Sequence, residues 1–465
     1  MRLRHVVGGV LVLALAGAAG FAVLAYESAI DPVSRPERSA FDTAAIARGA
    51  ELAAIGNCIV CHTAAGGAVL AGGLPIATPF GTVHSSNITP DPETGIGRWS
   101  EAAFARSMRR GVDRAGRHLY PAFPYDHFTR VTDADNRALY AYLMTRPPVH
   151  APERPNELAF PFNLRPLLAG WKLLFLREGL RDDDPAQSAE WNRGAYLAEG
   201  LAHCGACHMP RNRLGAEQRD AHFAGGEAEG WHAYALNAAS PAPVPWTADS
   251  LHVYLRQGWH TQHGISRGPM APVTTNLATV PEADVRALAI YVAERMGVPE
   301  QEKMARAEQV LSKARPSRPG AATAGDSQTL PEASGTGPGR ALYAAACAGC
   351  HDGSRPLPYG GLNLHLSTAV NGPNPDNIIN VVLQGLPPAP GARSAIMPGY
   401  DGVISDAQLA DLLAYMRAAF SDKPPWPDLP VSVARQRERA RSRRIYATDG
   451  AQAAPAVPTP RGTSW

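Results

Sequence analysis

One pentapeptide is written three times in this chain: Cys58-Ile-Val-Cys61-His62, Cys204-Gly-Ala-Cys207-His208 and Cys347-Ala-Gly-Cys350-His351. Each reads C-x-x-C-H, the attachment pattern of c-type haem. Two thiols add across the two vinyl groups of one porphyrin, and the adjacent histidine supplies the proximal nitrogen to iron. The three copies use all six cysteines. A zinc site needs two such pairs, or one pair and two well-spaced histidines, brought together. Here 146 and 143 residues separate successive motif histidines. A redox-active dithiol has no use for a histidine directly after it. The pattern predicts three covalently bound haem c groups on Cys58, Cys61, Cys204, Cys207, Cys347 and Cys350, with His62, His208 and His351 as iron ligands.

Length gives the same count independently, because 465 residues correspond to about three domains of ordinary size. The net charge of +2 offers no field for nucleic acid. With 44 Gly and 42 Pro the chain is rich in turns, which suits domains whose porphyrin supplies part of the core. No Gly-rich dinucleotide fingerprint opens a βαβ unit, so nothing points to a substrate pocket.

The first residues, Met1-Arg2-Leu3-Arg4-His5, are basic, and Val6 to Ala25 is an uncharged apolar run. That combination is an export signal. Twenty residues also suffice to span a bilayer as a helix, with Arg2 and Arg4 on the cytoplasmic side. An uncleaved anchor is the expectation, with cleavage between Ala25 and Ala29 as the alternative. Either way the bulk of the chain is exported.

The plan then repeats. Asp42 or Thr43 caps a helix leading to Cys58, and Thr132 opens a closing helix with Leu139, Tyr140, Leu143 and Met144 on one stripe. Gly194 to Leu197 leads into Cys204, and Pro281 opens the matching closing helix. Gly339 to Tyr343 leads into Cys347, and Ser405-Asp406 opens the third. Middle helices follow Trp99 and Trp246. First and last helices that cross over a haem edge are the plan of a class I cytochrome c. The expected fold is mainly α, with three tandem class I cytochrome c domains after an N-terminal transmembrane helix. The boundaries are 1–30 for the anchor or signal, 40–147, 187–300 and 339–422 for the domains, 148–186 and 301–338 for linkers, and 423–465 for a basic tail. Leu167 to Leu176 in the first linker reads as a buried interdomain helix, with an interfacial helix or part of a quinone site as the rival. The second linker reads as flexible. The tail carries Arg435, Arg437, Arg439, Arg441, Arg443 and Arg444 against Glu438, and reads as a solvated helix rather than a lipid- or partner-binding one.

A low-spin electron-transfer haem usually takes a second axial ligand, often methionine. The third segment offers Met397 in Ile396-Met-Pro-Gly399, and the second offers Met270 in Gly268-Pro-Met270. In the first segment the matching position is Phe123, which cannot ligate iron. His127 is ranked first as its replacement, then Met144 and His118, with a five-coordinate iron also open.

With these motifs the whole chain resembles the membrane-bound triheme cytochrome c subunits of bacterial periplasmic dehydrogenases. Asn87-Ile-Thr-Pro90-Asp-Pro-Glu-Thr-Gly95 matches that family's first-domain motif, and His208-Met-Pro-Arg211 with Gly268-Pro-Met270 matches its second domain. Leu236-Asn-Ala-Ala-Ser240-Pro departs from the Asn-Ile-Thr-Pro pattern, which puts that loop's geometry in question. Tyr120-Pro-Ala-Phe-Pro-Tyr125 and Phe160-Pro-Phe-Asn-Leu-Arg165 resemble the branch paired with molybdenum hydroxylases such as nicotinate dehydrogenase or isoquinoline oxidoreductase. The resemblance implies a non-catalytic subunit at the periplasmic side of the inner membrane. It would take electrons from a dehydrogenase catalytic subunit, with an iron–sulfur subunit in the molybdenum case, and pass them to ubiquinone or a terminal oxidase. The alternatives are the cytochrome subunit of a flavin- or PQQ-dependent sugar or alcohol dehydrogenase and, remotely, a multihaem peroxidase.

Overall fold

The structure, a computed structural model, describes residues 2–314, 337–352, 357, 360–387 and 396–448. Residues 315–336 of the expected linker and 449–465 of the expected tail lie outside the described residues, as do the side chains of Arg443 and Arg444. Two compact units are built on Met1–Arg181 and on Asp182–Ser442.

The first unit opens with α1 (Arg2–Ala25). Its stretch His5–Ala25 is long and apolar enough to cross a membrane, and no other described helix is. Asp42 accepts from the Ala44 N–H and caps α2 (Thr43–Ile55), which runs into the short α3 (Cys58–Cys61). Strands β1 (Pro75–Thr78) and β2 (Gly81–His84) form an antiparallel hairpin, with Pro75 opposite His84, and β3 (Glu157–Leu158) adds to β2. Ser100 caps α4 (Glu101–Arg110), the single turn α5 (Tyr125–Phe128) follows, and Thr132 caps α6 (Asp133–Met144). Helix α2 crosses α6 with Gly49 at the contact: a Cβ built there would lie 1.9 Å from the Ala138 carbonyl oxygen. Leu52, Ile55, Leu139, Leu143 and Met144 are buried in this unit.

Helix α7 (Leu167–Phe175) corrects one expectation. It is not a buried interdomain helix: Ala169 is its one buried residue, and Leu173 and Leu174 are 68% and 70% exposed. One side packs on α1, where Gly170 faces the Phe21 ring. Lys172 turns inward and donates to the carbonyls of Arg110 and Gly111, which end α4. The apolar run is real, but Leu173 and Leu174 are left exposed among the described residues.

The second unit repeats the crossing twice. Ser188 caps α8 (Ala189–Tyr196), which leads to α9 (Gly205–His208). The hairpin β4 (Gly226–Ala228) and β5 (Trp231–Ala233) follows, then α10 (Ala248–Gln257), with a Thr247–Ser250 capping box. A second hairpin pairs β6 (Trp259–His260) with β7 (Gly264–Ile265), ahead of α11 (Met270–Leu277) and α12 (Glu282–Met296). Helix α8 crosses α12 at Gly194, whose Cβ position lies 2.0 Å from the Ala287 carbonyl oxygen. Next come α13 (Gln301–Lys313), α14 (Pro338–Ala346) and α15 (Ala348–His351), then α16 (Thr368–Asn371), α17 (Asp376–Gln384) and α18 (Asp406–Phe420). Helix α14 crosses α18 at Gly339, whose Cβ position lies 2.1 Å from the Asp411 carbonyl oxygen. At each of the three crossings the backbones come so close that no side chain fits between them.

Two further expectations change here. The described start of the 301–338 linker is helical, as α13, and buries Ala307. The described part of the tail is not a solvated helix. Helix α19 (Leu429–Thr448) lays Leu429, Val433 and Ala440 inward, and Leu429 and Val433 join the apolar core of α14, α17 and α18. Arg437 is buried and pairs with Asp401, 2.7 Å away, and with Asp406. Arg435 pairs with Asp376 and Arg439 with Glu227. Removing one member of a buried pair strands the other charge, at a cost of about 3 kcal/mol. Arg437→Ala should therefore raise amide hydrogen exchange across residues 429–441 while leaving α12 protected; unchanged exchange would mean that the apolar contacts alone hold α19.

Candidate haem-attachment sites

Each C-x-x-C-H motif sits on a single helical turn that follows the incoming helix of a crossing pair. The six cysteines form no disulfide. Burial raises the first thiol of each pair, Cys58 and Cys204 to about 12 and Cys347 to about 11.

The histidines decide the chemistry. Nδ1 of His62 lies 2.7 Å from the Ser86 carbonyl, Nδ1 of His208 lies 2.6 Å from that of Tyr234, and Nδ1 of His351 lies 2.8 Å from that of Leu362. A carbonyl accepts only, so Nδ1 must carry the proton and Nε2 the lone pair. Burial also lowers the pKa of all three rings, which favours the neutral form a metal needs. A proximal ligand oriented through its other nitrogen is the arrangement expected of an iron-binding imidazole. The donor set therefore fits haem at each motif: Cys58, Cys61 and His62; Cys204, Cys207 and His208; Cys347, Cys350 and His351.

The local sequence explains how each carbonyl is placed. Beside Ser86, Asn87 donates to Thr94 Oγ1 and the Val149 carbonyl and accepts from the Thr89 N–H and hydroxyl. Asp91 closes the same knot by accepting from the Thr94 N–H and hydroxyl, which hold its carboxyl below the usual range. Leu362 is likewise followed by an asparagine, Asn363, which accepts from the His365 N–H. In the second site the departure at Leu236–Pro241 does not dissolve the loop: Asn237 donates to the His222 carbonyl and accepts from the Ala239 N–H.

Comparison with known proteins agrees with this geometry. The Cytochrome c family model matches residues 46–147, and the model of Cytochrome C oxidase, cbb3-type, subunit III matches residues 336–416. The chain is 35% identical to the fructose dehydrogenase cytochrome subunit of Gluconobacter japonicus over 81% of its own length and 79% of that protein's. It is 33% identical to the gluconate 2-dehydrogenase cytochrome c subunit of Pantoea cypripedii, over 87% and 90%. The chain belongs to the cytochrome c electron-transfer subunits of dehydrogenases. This cytochrome is also 46% identical to a nicotinate dehydrogenase subunit of Pseudomonas putida over 89% of its length, but spans only 34% of that relative.

The two methionines that the sequence offered lie in loops of the second unit. Met270 begins α11 after Gly268 and Pro269. Gly268 has φ +58°, and the Trp231 ring of β5 fills the space a Cβ would need. Met397 exchanges both backbone hydrogen bonds with Leu386, at 2.8 and 3.0 Å. In the first unit His127 and Met144 are both buried, on α5 and α6. His118 is committed elsewhere: Nε2 meets the Ala25 carbonyl at 3.0 Å and Nδ1 meets Lys172 Nζ at 3.0 Å. That ring ties the exit of α1 to α7.

Proposed function

We propose that this cytochrome carries three haem c groups, one in each of three class I cytochrome c domains at 40–147, 187–300 and 339–422. It relays electrons from a partner dehydrogenase to ubiquinone or a terminal oxidase at the periplasmic face of the inner membrane. The observation that carries the reading is the threefold histidine-to-carbonyl bond, because it prepares Nε2 for iron in the same way at each motif. Bound there, haem supplies a one-electron Fe(II)/Fe(III) couple. The protein's part is to fix the proximal imidazole, to offer Met270 and Met397 as sixth ligands, and to offer His127 in the first domain where phenylalanine stands in place of methionine.

The haem count is tested by intact mass. The purified protein should carry three haem masses, and replacing Cys204 and Cys207 together by serine should remove one of them. Two haems in the unaltered protein would sink the three-domain reading.

A molybdenum hydroxylase is the partner we favour, supported by the resemblance at Tyr120–Tyr125 and by the identity with the nicotinate dehydrogenase subunit. A flavoprotein or quinoprotein partner is the second reading, favoured by the fuller coverage of the fructose and gluconate dehydrogenase subunits. Purifying the cytochrome from its own membranes in detergent, with metal and flavin analysis of what accompanies it, separates the two. Membrane attachment is supported by α1 and by the bare apolar face of α7 beside it. Leu173→Asp with Leu174→Asp should then weaken retention on vesicles without changing the haem spectrum.

A further inference from the structure

The loop that presents Met270 also reaches two loops of the third site. Gly264 in β7 abuts Leu362, since a Cβ built there would lie 3.1 Å from Leu362 Cδ2. Leu362 is the residue whose carbonyl orients His351. Three residues further on, Arg267 Nε donates to the Gly385 carbonyl at 3.1 Å. Gly385 precedes Leu386, the backbone partner of Met397, and its own Cβ position lies 2.4 Å from the Met397 carbonyl oxygen. A stretch of four residues thus touches the proximal loop of the third site at one end and its methionine loop at the other.

A separate set of contacts clamps α17 to the hairpin that leads to the second site's proximal carbonyl. The Asn377 side chain of α17 accepts from the His232 N–H and donates to the His232 carbonyl, at 2.8 and 2.9 Å, as a strand would. Asn380 donates to the Gly230 carbonyl at 2.9 Å. Both contacts fall on the β4–β5 hairpin that leads to Tyr234. Against this fixed background Arg267 is the charged group that links the two methionine loops. It is half-buried and has no carboxylate partner among the described residues.

We propose that Arg267 is the positioning residue of a junction between the second and third sites. Its guanidinium ties the loop of Met270 to the loop of Met397, and its charge raises both reduction potentials. The inference rests on the reading of Met270 and Met397 as iron ligands. A cation beside a haem favours the less positive, reduced iron. The tie makes the two ligand loops move as one, so a loosened loop at one site is felt at the other.

The test is a spectroscopic redox titration of the full-length cytochrome in detergent, following haem absorption and the methionine-to-iron charge-transfer signature. Arg267→Gln should lower the potentials of two haems and leave the third unchanged. It should also lower the pH at which both methionine signatures are lost. Arg267→Lys keeps the charge but not the planar donor, so it should restore the potentials and leave the pH effect; it also serves if the glutamine variant fails to assemble. A shift at one haem alone, or at none, overturns the proposal. Met270→Ala and Met397→Ala are run beside them: if either leaves the methionine signatures intact, the ligand assignment itself fails and the proposal falls with it.

Discussion

Gly194→Ala is expected to destabilise the α8–α12 crossing by about 3 kcal/mol, the upper end of the range for overpacking a tight contact. At an exposed helical position the same change would stabilise by up to about 1 kcal/mol, because alanine is the better helix former. The sign is reversed by position. The new methyl would lie 2.0 Å from the Ala287 carbonyl oxygen, 2.6 Å from its carbon and 2.8 Å from Tyr291 Cβ. None of these is the flexible end of a side chain, so α8 and α12 must separate. That separation also disturbs the Trp191–Tyr291 ring contact, 5.1 Å between centroids, on the same faces. Gly49→Ala and Gly339→Ala should behave alike at their own crossings. Urea unfolding followed by haem absorption measures the effect, and a stabilised Gly194→Ala protein would mean that these helices do not meet as described.

Replacing Met397 or Met270 by histidine should lower the potential of the haem concerned by a few tenths of a volt, within the roughly 0.8 V that axial ligands span. The thioether is a soft ligand that favours Fe(II), whereas imidazole donates more strongly and favours Fe(III). On the proposed count of three haems with these two methionines as ligands, each replacement should move one component of the redox titration by the full amount, with a smaller response at the neighbour through Arg267. On the same reading, the component that neither variant moves is that of the first site, where Phe123 stands at the matching sequence position. If Met397→His leaves all three components in place, Met397 is not an iron ligand.

Much of this architecture can be read from the chain because its signals are local. Asp42, Ser100, Thr132, Thr247 and Ser405 each cap a helix by accepting a backbone N–H a few residues ahead, and such residues announce themselves in sequence. Composition says less about what a face will meet. The apolar α7 reads as buried and is bare; the arginine-rich α19 reads as solvated and is docked by the very charges that suggested solvent. Linker composition concealed α13, whose single buried alanine leaves a weak signal. Asn377 and Asn380 look like ordinary polar positions on an amphipathic helix, and only the fold shows that they complete a neighbouring hairpin. The crossing glycines precede each motif by similar intervals and were open to recognition as a repeat, but not as contacts.

The acceptors of the three motif histidines belong to the main chain, and this has a consequence for how such a protein diverges. No codon specifies a carbonyl oxygen. Substitutions at Ser86, Tyr234 or Leu362 alter a side chain and leave the acceptor in place, and the three side chains here are already unlike one another: a small hydroxyl, a phenol and an aliphatic. The proximal half of each site is thereby shielded from point mutation and held common to all three copies. Variation that retunes one copy without the others has to come from groups other than these acceptors; on the proposed ligand assignment those are His127, Met270 and Met397, with Arg267 between the last two loops.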